Sequence, residues 1–460
     1  MIFLLKENHS ERRNFIPMVD FNTLLFNLTS AQIAEHNIVR NDDGSLDAYV
    51  TTIPTEKTCP ICGYPLIKNG HGRTKSITHS ILNSQQLTIH WTPQRFICKS
   101  CNESVTERNP FTYPKFSISY STIRQIMLDL KNPHLSFKDV ALRNHVSITQ
   151  VQKYFDSYVH VPKRVHLPTN LGIDEIHSDM AKYGSSYLCV LVDNDTRQLF
   201  DILPSRSKNE LIKYFETFSK EERDKVRYVT IDMWAPYRDV AKRVFKYCEV
   251  AVDPFHVVEH LIKGFSDLRI STMKQVEYGS PSYYLLKKWN WVLTTKDVDL
   301  DNQRVMNHVF NRYMNRRDML NELLAISDDL LVAYNLMKLY QDFNDKCPPE
   351  EATQQMEMII DSFSKADLPC YREFVSMITT WKEEIINSFN RPTGRKQSNA
   401  LTESINSRIR AFLAVTRGMC NFERFRRRIL YCLNDKIFYS CTSFLTSLKI
   451  KSKSRGPYNK

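Results

Sequence analysis

The sequence predicts a multidomain α+β protein: a cysteine-knuckle module, a small helical module, and a mixed α/β sheet interrupted by a long helical stretch. Three observations carry this reading. Two Cys-x-x-Cys pairs lie near the start, strand-length and helix-length apolar patterns alternate between Leu167 and Phe255, and helical periodicity dominates from Val305 to Phe389. At 460 residues the chain exceeds what one hydrophobic core usually organises. Its 42% hydrophobic and 25% charged residues exclude a wholly disordered or fibrous chain. No stretch approaches the ~18 apolar residues of a membrane span. Met1 to Leu5 is cut off by Lys6 and Glu7 before it could act as a signal peptide, so a soluble, cytoplasmic protein without a membrane partner is expected.

The first element is the pair of knuckles, Cys59-Pro-Ile-Cys62 and Cys98-Lys-Ser-Cys101, with 35 residues between them. Each knuckle presents two thiolates from one tight turn, and two knuckles close a tetrahedral site suited to one structural Zn²⁺. The separation requires the chain to return, and a hairpin does this: Leu87, Ile89 and Trp91 alternate with polar neighbours, and Arg95-Phe96-Ile97 leads into the second knuckle. His71, His79 and His90 are rivals for a ligand position. The remaining cysteines are scattered singly and read as reduced thiols.

Helical spacing follows. Ile123, Ile126, Met127 and Leu130 share a face ahead of Pro133; Ser136 can cap a helix carrying Phe137, Val140 and Ala141, and Ser147 one carrying Ile148, Val151 and Phe155. With Asn144-His145-Val146 as the turn, this outlines a helix-turn-helix, and Thr149, Gln150, Gln152 and Lys153 would face DNA. The turn lacks its usual glycine, which leaves an ordinary helical bundle open.

From Leu171 the order is three strands, helix, strand, helix, strand, with the first three at Leu171–Ile176, Ser186–Asp193 and Arg197–Leu203. No glycine-rich phosphate loop follows any strand, which excludes a dinucleotide-binding core. Asp174 sits within the first strand and Asp232 ends Tyr228-Val229-Thr230-Ile231-Asp232. A carboxylate at such a depth is costly unless it is paired or bound to a cation, although an aspartate after a strand also serves as a turn or cap. Much later, Ile405, Ile409, Phe412 and Leu413 make the apolar stripe of a helix whose other face carries Glu403, Asn406 and Arg410.

Charge is concentrated at the end. Residues 391–460 hold sixteen Lys or Arg against three acids, which accounts for the whole +12 of the chain. Such a block points to a polyanion partner.

Taken in order, the paired knuckles, the helix-turn-helix, Gly172-Ile173-Asp174-Glu175, Thr230-Ile231-Asp232-Met233-Trp234 with Tyr237, Asp253-Pro254-Phe255-His256, and Ser398 to Asn406 with Arg410, Arg417-Gly418 and Phe422 to Arg428 resemble the insertion-sequence transposases of the ISL-three type. The resemblance implies an N-terminal segment (1–50), a zinc ribbon (51–112), a helix-turn-helix domain (113–164), and a ribonuclease-H-like core (165–260 and 391–440). An all-helical insertion (261–390) splits that core, and a basic tail (441–460) ends the chain. It implies catalytic and Mg²⁺- or Mn²⁺-binding roles, two ions in all, for Asp174, Asp232 and Glu403, with Asp253 and His256 supporting rather than holding metal. The family has Glu-Gly in many members where this chain has Glu403-Ser404. Arg408, Arg410, Arg417, Arg424, Arg426, Arg427 and Arg428 are expected at double-stranded DNA, and a homodimer or higher oligomer is expected on the element ends and target, within the bacterial nucleoid. A zinc-containing DNA-binding regulator without catalysis, and a nuclease that cuts without joining, stand as alternatives.

Overall fold

The computed structural model describes residues 25–80, 85–161, 163–392, 394, 396–416 and 419–434. The chain divides into two compact units, with the break between His160 and Val161.

The first unit holds strands β1 (Ile33–Arg40), β2 (Leu46–Thr52), β3 (Leu66–His71), β4 (Lys75–Ser80), β5 (Gln86–Trp91), β6 (Gln94–Cys98) and β7 (Ser104–Thr106). They form two sheets, ordered β1-β2-β5-β4 and β3-β6-β7. The expected hairpin is present, since β4 and β5 pair antiparallel with Lys75 opposite Trp91 and Ser80 opposite Gln86, but its partners differ from the simple ribbon expected. β5 does bury Leu87, Ile89 and Trp91 on one face, but against Ala48 and Val50 of β2, its parallel neighbour, whereas β6 pairs with β3 beside the knuckles. Alternation shows which face of a strand is buried and is silent on which sheet buries it. β2 also crosses residue 50, so the segment before it shares a sheet with β4 and β5.

Helices α1 (Tyr120–Lys131), α2 (Phe137–Arg143) and α3 (Ile148–Tyr158) follow. Ser119, Ser136 and Ser147 cap them through their side chains, and the last two form reciprocal boxes with Asp139 and Gln150. In the turn, His145 adopts φ 54°, so a histidine fills the left-handed position where glycine is usual. The Asn144 side chain donates to Asp129 at 2.8 Å, fixing the end of α2 to α1.

The second unit is built on a five-stranded sheet ordered β10-β9-β8-β11-β12, from β8 (Asn170–His177), β9 (Tyr187–Asp193), β10 (Gln198–Leu203), β11 (Tyr228–Ile231) and β12 (Glu249–Val252). β8, β9 and β10 pair antiparallel, while β11 lies parallel to both β8 and β12. Helices α4 (Lys208–Phe215) and α5 (Lys220–Arg223) connect β10 to β11, and α6 (Ala235–Val244) connects β11 to β12. α7 (Pro254–Gln275) leads into α8 (Pro281–Lys288) and α9 (Asn290–Thr294). After a hairpin come α10 (Arg316–Leu324), α11 (Asp328–Lys346), α12 (Ala352–Ala366), α13 (Arg372–Thr380) and α14 (Lys382–Asn387). α15 (Ala400–Val415) and α16 (Phe422–Leu433) end the described chain.

The insertion departs from expectation twice. It is not all helical: β13 (Val305–Asn307) and β14 (Arg312–Met314) form an antiparallel hairpin where helix was expected from Val305. Asn307 accepts the N–H groups of Val309 and Phe310, and Asn311 takes φ 50°, so asparagine turn chemistry overrides the apolar spacing. The helix begins only after Asn315, whose side chain caps it in a box with Asp318. Nor does the insertion keep a separate core, because Phe265, Tyr340, Phe363 and Phe374 belong to the same apolar cluster as Leu171 and Val229 of the sheet.

Candidate functional site

In the first unit the four knuckle cysteines converge, with one sulfur from each within 4.8 Å of the others. Cys59 and Cys101 sulfurs lie 3.5 Å apart, and Cys62 lies 3.4 Å from Cys98. A tetrahedron of ~2.3 Å zinc–sulfur bonds has edges of about 3.8 Å, so the four thiols fit that metal. The Cys101 backbone N–H pulls the Cys98 thiol down to about 7, while Cys101 itself, despite the Glu103 N–H, is pushed up to about 12 by the Cys62 side chain and burial, as expected where neighbouring sulfurs share protons that a metal would displace. Two of the rival histidines are engaged elsewhere: His79 with Ser119 and the Leu25 carbonyl, His90 with Asp47.

In the second unit the sheet brings acids into a row. The parallel register matches Gly172 with Thr230 and Ile231 with Val252, so continuing each strand sets Asp174, Asp232 and Asp253 abreast. α15 packs over β8 and β9, and Gly172 permits the approach: a Cβ there would stand 2.7 Å from the Thr402 hydroxyl oxygen. Asn406, one turn further along α15, donates to Asp174 Oδ2 at 2.7 Å, and Asp174 Oδ1 accepts the Glu175 N–H. The Asn399 backbone N–H donates to Asp253 Oδ1 at 3.1 Å, tying the start of α15 to the end of β12.

Ligand-type oxygens and nitrogens fall into two groups, each drawn within 4.8 Å: Asp174, Glu175 and Asp232, and Asp253, His256 and Glu403. Burial, then the Glu175 and Asp174 charges, push the Asp232 carboxyl up to about 7. Burial also raises Asp174 to about 6, opposed by the Glu175 N–H and reinforced by the Glu175 and Glu403 charges. Asp253 is raised by burial as well. Asp232 Oδ1 and Asp253 Oδ2 are buried and have no hydrogen-bond partner among the described residues. Crowded, desolvated carboxylates with spare oxygens suit hard divalent cations such as Mg²⁺ or Mn²⁺.

Three features here were not read from sequence. Glu175 joins the acids directly; Arg206 pairs with it while lying between the Tyr187 and Trp234 rings, 3.9 and 4.5 Å from their centroids; and Tyr237 donates to it at 2.8 Å. Glu175, Trp234 and Tyr237 stand in the motifs that carry the resemblance, without a role assigned there, and Arg206 stands in none. Asp253 and His256, expected only to support, stand within ligand reach of Glu403.

The expected DNA-facing residues divide. Thr149 and Lys153 are exposed on α3, Gln152 is half-buried, and Gln150 spends its carbonyl oxygen on the Ser147 cap. Arg408 and Arg410 are exposed on α15, and Arg424 and Arg427 are half-buried on α16. Two expectations are corrected. Arg426 makes a paired contact with the fully buried Asp201, at 2.6 and 2.7 Å, and Arg428 is 1% exposed beside the Phe412 ring. Both serve the fold because α16 turns those positions onto the sheet. Arg417 and the basic tail lie outside the described residues. Among the described residues no helix is long and apolar enough to cross a membrane.

A family model described as a transposase, of the DDE type named for ISL3, matches residues 171–429, which is more than half of the chain and includes Asp174, Asp232 and Glu403. The transposase for insertion sequence element IS1001 of Bordetella parapertussis is 27% identical over 154 residues, covering 33% of this chain. The match spans about a third of that relative's length (35%). The sheet, the row of acids and the helix laid over them all fall within the matched span, and the chain belongs to the ISL3-type insertion-sequence transposases.

Proposed function

We propose that the chain cuts and joins double-stranded DNA at the ends of an insertion sequence, using Asp174, Asp232 and Glu403 to hold two divalent cations. The observation that carries this reading is the row of acids on β8 and β11 with Glu403 delivered from α15, its charge felt at Asp174. The five-strand order, three antiparallel strands followed by two parallel ones, agrees with a ribonuclease-H-like core.

Cations held there would neutralise charge on the phosphate and polarise the attacking and leaving oxygens during in-line displacement. The chain's own residues do the rest. Asn406 orients Asp174, and Asn399 orients Asp253. Arg206 and Tyr237 engage both oxygens of Glu175, which stands within ligand reach of the two aspartates. Asp253 and His256, within reach of Glu403, would complete its ligand set or fix its position. Water would attack first and free a 3′-hydroxyl; that hydroxyl would then attack target DNA at the same centre. Exposed Arg408 and Arg410 would contact backbone phosphates, and Thr149 and Lys153 on α3 would meet the element ends beside a zinc-stapled module. Assembly on DNA would be dimeric or higher.

Strand transfer on an oligonucleotide end tests this directly. Wild type with Mg²⁺ should give joined products, and Asp174→Ala, Asp232→Ala or Glu403→Ala should bind the end without cutting or joining it. Joining retained in any one of the three would remove that residue from the assignment.

A further inference from the structure

A second polar pocket lies on the same sheet face as the acids. It encloses about 250 Å³ between the start of α15 and the strands, and its lining includes Asn170, Asn194, Arg197, Thr230, Lys396 and Gln397. Thr230 stands two residues before Asp232 on β11, about 7 Å along the strand and on the same side. No acid is among the lining residues; Asp195, on the adjacent turn, accepts the Asn170 backbone N–H.

Several groups here lack partners. Thr230 is fully buried and its hydroxyl has no partner among the described residues, whereas the Gln397 amide nitrogen is spent on the Asn387 carbonyl. The Asn399 side chain does not cap α15, so the first-turn N–H groups bordering the pocket keep their partial positive charge. Arg197 is exposed on the β9–β10 turn and makes no ion pair among the described residues. Lys396 lies 3.6 Å from the Phe389 centroid and donates to the Asn344 carbonyl, and burial pulls its ammonium down to about 8. A nearby anion would raise it again.

Two cationic side chains, a helix N-terminus and an unused hydroxyl form a cradle of donors. Drug-sized ligands and cofactors occupy about 300–1,000 Å³, so this volume suits a single phosphate group with its water rather than a nucleotide.

We propose that this pocket is a phosphate subsite that grips a backbone phosphate of the strand whose reacting phosphodiester lies at Asp174 and Asp232. The DNA source rests on the function proposed above, whereas the phosphate chemistry does not.

The test uses the full chain and inorganic phosphate, followed by calorimetric titration at constant ionic strength with chloride as control. One saturable site is expected, with Arg197→Gln and Thr230→Val each weakening it about tenfold and Asp232→Ala leaving it unchanged. Arg197→Gln alters an exposed turn, so it remains informative if Thr230→Val misfolds. A short single-stranded oligonucleotide should displace the phosphate. Binding without displacement would keep the subsite and refute its DNA source. No saturable binding, or binding unchanged in Arg197→Gln, would overturn the proposal. Because Asp232→Ala abolishes chemistry without touching the pocket, failure of the catalytic reading and failure of the subsite are separable.

Discussion

The four-thiol cluster and the acid row are both suited to metal, yet they are built on opposite plans. The thiols come from two short turns within 43 residues, lie at mutual distances close to their bound geometry, and include a thiol already drawn toward ionisation. The acids come from three strands and a helix spanning Asp174 to Glu403; burial raises Asp174, Asp232 and Asp253, and the last two keep a buried oxygen without a partner among the described residues. A metal at the first site completes a module and closes its coordination. At the second it would relieve repulsion between crowded carboxylates, two of which keep a buried oxygen without a partner among the described residues. On the function proposed here, the contrast would separate a metal that folds protein from one that serves chemistry on DNA.

The largest expected effect falls on the thiol side. Cys98→Ser should lose zinc, measured as metal per chain, and with it on the order of 10 kcal/mol of local stability. Protease sensitivity should then appear around β3, β6 and β7. If zinc and folding survived, the two clusters would not differ in kind.

On the acid side the loss should be in rate. Asp232→Ala should lower strand transfer by at least about a thousandfold with thermal stability equal to or above wild type. Arg426→Ala, by contrast, removes the partner of fully buried Asp201 and should cost about 3–5 kcal/mol in denaturant unfolding. End binding by the folded fraction should be unchanged. Weakened binding at equal folded fraction would return Arg426 to the DNA surface.

The acid row also predicts a pH dependence. Folded Asp174 and Asp232 ionise near 6 and 7, against 3.8 for the free side chain. As pH rises from 4 to 7 the unfolded state loses these protons first, so metal-free stability should fall across that window and then level off. Mg²⁺ should restore it. Asp232→Asn should stabilise the metal-free protein at pH 8 by about 1–3 kcal/mol. A flat metal-free profile would mean the carboxylates are not crowded. Smallest is Gly172→Ala, where the Thr402 hydroxyl can rotate aside: about 1–2 kcal/mol and a several-fold slower reaction.

What could be read from sequence follows the same division. The knuckles, the caps at Ser136 and Ser147, and the strand order from Leu171 to Val252 are local patterns, and the structure repeats them within a residue or two at most ends. The apolar stripe of α15 was legible for the same reason. Long-range pairing was not: β5 joins β2 rather than the knuckle sheet, and the Val305–Met314 hairpin hides in helix-like spacing because two asparagines decide it. The basic block was legible as charge but not as position, since only folding shows that Arg426 and Arg428 turn inward. Arg206 left no sequence signal, because its role comes from two rings and an acid brought together by three separate segments.

The most direct test of the central claim is anomalous scattering from crystals of the full chain grown with Mn²⁺ and an element-end duplex. The account predicts two Mn²⁺ ions contacting Asp174 and Asp232, with a Glu403 oxygen bound to at least one. Ions held by Asp174, Glu175 and Asp232 alone, with Glu403 turned away from both, would contradict it.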